Sequence, residues 1–96
     1  MKAAYATRRA AVCWNYVPAF IAVAETEHLR RAALEMRVSP SSLSRMIALL
    51  EHHLGYPVFD RIGRRLKLTP AGQKLFCAAR KSMLTLDEAL GLDLPH

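Results

Sequence analysis

Apolar positions along this chain fall into runs whose spacing changes from helical to alternating and back again. Val17, Phe20, Ile21 and Ala24 repeat at steps of three, one and three, which predicts a helix with a single apolar stripe. Asn15 can cap that helix, and Pro18 then sits in its first turn, where a missing N–H is tolerated. A second helix is predicted over Leu29–Met36, its apolar side made of Leu29, Ala32, Ala33 and Met36; the paired alanines leave room for a neighbouring helix. Ser39 followed by Pro40 marks a new start, because serine caps free amides and proline is preorganised for the first helical position.

The third helix, Pro40–Leu54, separates into two faces at about 100° per residue. Leu43, Met46, Ile47, Leu50 and Leu54 lie on one; Ser41, Ser44, Arg45, Ala48 and His52 lie on the other, which carries no acid. Gly55 stops the helix. Val58, Phe59, Leu66 and Leu68 then flank Arg61, Ile62, Gly63, Arg64 and Arg65, the pattern of a β-hairpin with glycine at its turn. Thr69, Pro70 and Ala71 restart a helix whose stripe of Leu75, Phe76, Ala79, Met83, Leu86 and Leu90 runs to Gly91. At about 20 residues it spans roughly 30 Å, more than so small a domain can cover, so part of the stripe is expected to meet another chain. Residues 1–13, rich in alanine and basic side chains, read equally as a short helix or a loose arm.

Ninety-six residues, 52% of them hydrophobic, suit one compact domain and leave little room for a second. The net charge is +6, and Arg61, Arg64, Arg65, Lys67, Lys74, Arg80 and Lys81 follow one another without an intervening acid. Such a field attracts polyanions, although a solvated basic surface has the same composition. Cys13 and Cys77 are isolated and form no metal or disulfide pattern, which suits a reducing, cytoplasmic interior. Arg8 and Arg9 ahead of the apolar run 17–24 invite comparison with an export signal, but the run is short and Asn15 and Pro18 interrupt its approach. No run approaches the roughly 20 apolar residues of a membrane span.

Helix, short turn, helix, hairpin, helix is the order of a mainly α winged helix-turn-helix, in which the second helix of the pair enters the major groove of DNA with its N-terminal residues leading. Ser39, Pro40, Ser41, Ser42, Ser44 and Arg45 are the candidate recognition-helix contacts, Ser41, Ser44 and Arg45 being best placed for base edges. Arg61, Arg64, Arg65 and Lys67 are the candidate wing contacts to backbone or minor groove. Adjacent His52 and His53 diverge by about 100° on a helix and make a poor metal pair. The serines 39, 41, 42 and 44 lack a histidine and carboxylate to activate them, so neither an enzyme nor a cofactor is expected.

The joined residues Phe20 to Glu25 (FIAVAE), Ala32, Ala33, Val38, Ser39, Ser44, Arg45, Ile47, Leu50, Glu51, Leu54, Gly55, Phe59 and Arg61, then Leu68, Thr69, Ala71 and Gly72, resemble the N-terminal domain of LysR-type transcriptional regulators. The resemblance covers residues 14–90 and is carried most specifically by LExxLGxxxFxR followed by LTPAG. It implies a bacterial regulator that binds double-stranded DNA as a homodimer through the last helix, with Leu75, Phe76, Ala79, Met83, Leu86 and Leu90 as interface. The expected division is an extension over 1–13, the DNA-binding domain over 14–69, a dimerisation helix over 70–91 and a tail over 92–96.

Three departures from the family qualify this expectation. His28 stands where a serine usually opens the second helix, with Thr26 as a substitute cap, and Pro40 and Ser41 replace the usual glutamine and proline, so base preference does not carry over. No effector-binding domain follows Gly91, so no small-molecule site is expected in this chain. The competing expectation is an interaction protein that pairs through the last helix with a full-length regulator.

Overall fold

The computed structural model describes residues 2–91, with side chains described from residue 14; the tail 92–96 lies outside the described residues. Its elements are α1 (Lys2–Thr26), α2 (Leu29–Met36), α3 (Pro40–Leu54), β1 (Phe59–Ile62), β2 (Arg65–Leu68) and α4 (Pro70–Leu90). This is the winged helix-turn-helix expected from the pattern, with one correction at its start. The first helix does not begin at Asn15; it runs through Asn15 and Pro18 from Lys2. Alanines at 3, 4, 6, 10 and 11 have the highest helix propensity of any residue, so the preceding segment continues the helix instead of leaving Asn15 as a cap. Pro18 therefore sits mid-helix, where it withholds one hydrogen bond at a cost of about 3 kcal/mol. Burial of Val17, Ala19, Phe20 and Val23 around it offsets that cost, while Pro18 itself stays exposed.

Phe20 is the centre of the core. It is fully buried, its ring lies 5.4 Å from Phe59 of the hairpin and 6.4 Å from Phe76 of α4, and Leu43, Leu50, Val23 and Val58 close around it. Ala32 and Ala33 are buried where α2 packs on α1 and α3, the close approach their size permits. Leu43, Ile47 and Leu50 form the buried face of α3 as its pattern predicts.

The starts of α3 and α4 follow the capping chemistry read from the sequence; that of α2 does not. Ser39 Oγ accepts from the Ser42 N–H at 3.1 Å and Thr69 Oγ1 from the Gly72 N–H at 3.0 Å, each just ahead of a first-turn proline. At α2, His28 caps nothing with its side chain; Thr26 Oγ1 accepts from the His28 N–H at 3.3 Å and leaves the first-turn amides free. Arg37 ends α2 in the left-handed region at φ 59°, and the Val38 N–H returns to the Ala33 carbonyl at 3.0 Å.

The hairpin pairs Phe59 with Leu68, Asp60 with Lys67, Arg61 with Leu66 and Ile62 with Arg65 around a Gly63–Arg64 turn, with Gly63 at φ 63°. Its base is locked to α4. The Thr69 N–H donates to the Val58 carbonyl at 3.0 Å, its hydroxyl donates to the Pro57 carbonyl at 2.9 Å, and a methyl group at Gly72 would stand 2.1 Å from the Val58 oxygen. Only glycine fits there. Gly72→Ala is accordingly expected to destabilise the fold by about 1–3 kcal/mol in urea unfolding followed by circular dichroism, while Gln73→Ala, one residue along on the exposed side of α4, stays near wild type.

Candidate nucleic-acid interface

Residues of α3, the start of α2 and the wing line adjoining depressions of the surface. At the start of α3 the serines serve the helix before anything else. Ser39 Oγ, besides capping, donates to Ser42 Oγ at 2.8 Å and lies 3.2 Å from Ser41 Oγ. Pro40 offers no donor at the first helical position. Ser44, half-buried, and Arg45, exposed, have no side-chain hydrogen bond or ion pair among the described residues, so their polar atoms are free for a ligand.

Glu51, the acid of α3, borders the same cleft as Ser44 and Ala48, but its carboxylate is engaged. Its Oε2 accepts from the backbone N–H groups of Val58 and Phe59 at 2.8 and 3.3 Å, so its charge is spent at the foot of the wing. The exposed face of α3 therefore carries Arg45 as its formal charge, with His52 and His53 near its end.

The hairpin register divides the wing cations between two sides. Directly opposed residues share a face, so Phe59, Arg61, Leu66 and Leu68 lie on one side, and Asp60, Ile62, Arg65 and Lys67 on the other. Arg61 lines a cleft of about 160 Å³ with Ser44, Ala48 and Leu29, and a second depression with His28, Arg30, Gly63 and Arg64. Four basic or imidazole side chains thus converge between the wing and the start of α2. Sequence reading placed Arg61 and Arg64 here but missed His28 and Arg30; their only sequence signal is their place at the first turn of α2, beside the helix pair.

Arg65 and Lys67 are engaged elsewhere. Arg65 donates to Glu27 Oε1, and Lys67 Nζ lies 3.5 Å from Glu27 Oε2. Glu27 joins α1 to α2 at φ 62°, and its own carbonyl accepts the Leu66 N–H at 2.9 Å. Hydrogen bonding from Arg65, reinforced by the charge of Lys67, holds the Glu27 carboxyl below the usual glutamate range against a smaller opposing effect of desolvation.

The α4 stripe is also divided. Leu75 and Phe76 pack on the core and Ala79 is buried, so this half of the expected interface is used within the protomer. Met83 is half-buried, while Leu84, Leu86 and Leu90 are exposed, and Trp14 of α1 borders a shallow groove with Leu86 and Ala89. Among the described residues no helix is long and apolar enough to cross a membrane.

Comparison with known proteins places this arrangement. The sequence model of the bacterial regulatory helix-turn-helix proteins of the lysR family matches residues 14–73. The HTH-type transcriptional activator IlvY of Salmonella typhimurium is 46% identical over 65 residues, 68% of this chain and 22% of that protein. The HTH-type transcriptional regulator BudR of Klebsiella aerogenes is 39% identical over 76 residues, 79% of this chain and 53% of that protein. The chain therefore spans about a fifth to a half of the length of these relatives, which are regulators. Among solved structures, the BenM DNA-binding domain in complex with benA site 1 DNA superposes with a TM-score of 0.76 at 29% identity, over 81% of this chain and 88% of that one. The CbnR DNA-binding domain in its DNA complex gives 0.71 at 34% identity, over 80% and 87%.

The Glu27 pairs give this interface a pH dependence with a defined sign. A carboxyl whose folded pKa is depressed stabilises the fold above its unfolded value, and that contribution is lost as pH falls through the folded one. Wild type is expected to unfold at higher urea than Glu27→Gln at about pH 7, with the gap closing below about pH 4. A gap unchanged across that range would show that the pairs do not form in solution.

Proposed function

The chain belongs to the lysR family of bacterial regulatory helix-turn-helix proteins, and on that premise we propose that it regulates transcription by reading a specific site in double-stranded DNA as a dimer. The observation that carries this reading is the exposed face of α3, where Ser44 and Arg45 are unengaged among the described residues and the one acid, Glu51, is bonded to the amides of the wing base. That face has the size and polarity of a major-groove reader. Arg45 grips guanine at two acceptors, and Ser41 and Ser44 read neighbouring edges with less discrimination. Ser39, Pro40 and Ser42 set the helix start against the phosphate backbone, where the Ser41 amide and the positive helix end favour an anion.

Arg61 and Arg64 contact the backbone or the adjacent minor groove, joined by His28 and Arg30 from α2. The DNA complexes of the BenM and CbnR domains, which share this fold, support duplex DNA as the ligand. The match to bacterial regulatory proteins supports the cytoplasm as the setting.

Dimerisation rests on the distal part of α4. Leu86 and Leu90, one turn apart, leave an apolar stripe exposed, and Trp14 borders the groove beside Leu86. Two half-sites bound at once multiply affinity through effective concentration. The same exposed surface favours a second reading, in which the chain pairs with a longer relative and forms mixed dimers. Native mass spectrometry of this chain with such a relative separates the two: mixed dimers support the second reading, and exclusive self-pairs remove it.

Selection from random duplex DNA followed by sequencing tests the main reading, and an enriched motif with two-fold symmetry is the expected result. At the selected site Arg45→Ala is expected to cost about 1–3 kcal/mol while leaving random-sequence binding nearly intact. Arg64→Ala is expected to weaken all sequences alike and to lower the salt slope by about one. Leu86→Glu with Leu90→Glu should shift the mass in sedimentation equilibrium toward the monomer; an unchanged mass would remove distal α4 as the interface.

A further inference from the structure

One residue holds three consecutive positions of β2. Glu27 accepts the Leu66 N–H on its carbonyl, meets Arg65 with Oε1 and reaches Lys67 with Oε2. It does so from φ 62°, a left-handed conformation that glycine adopts freely and an L side chain adopts against steric strain. A glutamate is an expensive choice there unless its carboxylate is used. Stability alone gives it little use, because Arg65 and Lys67 have side chains 53% and 46% exposed, and water screens such surface pairs. The effect on a polyanion is larger, since each cation that neutralises a phosphate changes the salt slope of binding by about 0.9. Arg61 and Arg64, by contrast, have no acidic partner among the described residues.

Resting on the DNA-binding reading, we infer that Glu27 restrains the wing and withholds Arg65 and Lys67 from the DNA backbone, setting a ceiling on sequence-independent affinity and thereby raising specificity. The carboxylate lies on β2 in competition with phosphate: two oxygens, two cations, the same geometry a phosphate would offer. Its ionised form is the one present at neutral pH, because both cations favour it. Two of the wing's four cations are thus committed to the protein and two remain for the ligand. A wing with all four free would bind any duplex more tightly, and the advantage of the correct site would shrink.

The experiment measures binding of a scrambled-sequence duplex by fluorescence anisotropy between about 50 and 200 mM salt. It compares wild type, Glu27→Gln, Glu27→Gly and Glu25→Gln. Glycine suits the left-handed backbone and keeps the carbonyl contact to Leu66, so it gives a folded variant should glutamine perturb the turn. Glu25→Gln removes the same charge from α1 but affects only the pair with Arg80 of α4. Both Glu27 variants are expected to steepen the slope by about one to two, a gain of about 8-fold for one freed contact and about 60-fold for two at ~0.1 M salt, with Glu25→Gln at the wild-type slope. Slopes of the Glu27 variants equal to wild type, or matched by Glu25→Gln, overturn the inference and leave the DNA-binding reading intact. Binding by the Glu27 variants alone supports it in its strongest form. Absence of binding by every chain overturns both.

Discussion

A two-stranded hairpin has too little surface of its own to be stable in water, so everything the wing does depends on how its edges are held. Here each edge is held by a carboxylate from a different helix junction. Glu51, at the end of α3, accepts the amides that begin β1, and Glu27, between α1 and α2, engages β2 through both its carbonyl and its side chain. The apolar face of the ribbon then seals the core through Phe59 and Leu66, both buried. Each outer edge is thus tied at one point to a helix junction, and the cations on the ribbon are sorted into an unpaired set and a paired set.

The same arrangement explains how the exposed face of α3 carries no unengaged acid. An exposed glutamate on α3 would repel phosphate, yet the wing base needs an acceptor for two amides. One residue meets both requirements because Glu51 sits where the buried and exposed faces meet and leans toward Val58. Electrostatic suitability for DNA and mechanical attachment of the wing are therefore one structural decision.

Local chemistry made most of the fold legible in the sequence. Ser39–Pro40 and Thr69–Pro70 are cap-and-proline starts, and the apolar face of α3 is unbroken; these depend on neighbours a few residues away, and the structure has α3 and α4 where they were expected. The start of α1 was misjudged because a proline mid-helix is normally a boundary, and only burial of the residues around Pro18 reverses that local preference. The division of the wing cations was invisible for a different reason. It requires a left-handed glutamate some 38 residues away in sequence from Arg65, and nothing in the spacing of charges announces such a contact. Likewise the α4 stripe reads as one continuous surface, and only the position of Phe20 decides that Phe76 belongs to the protomer's interior.

The contact between Gly72 and the Val58 carbonyl has a geometric consequence beyond the single protomer. With no space between them, the first turn of α4 and the foot of the wing move as a rigid body. In an assembly joined through distal α4, the angle at which two such helices cross therefore fixes how far apart the two wings stand. DNA offers equivalent grooves only once per helical turn of about 34–36 Å. A small change of crossing angle, amplified along the length of α4, would be enough to bring both wings into phase with the duplex or to put them out of step with it.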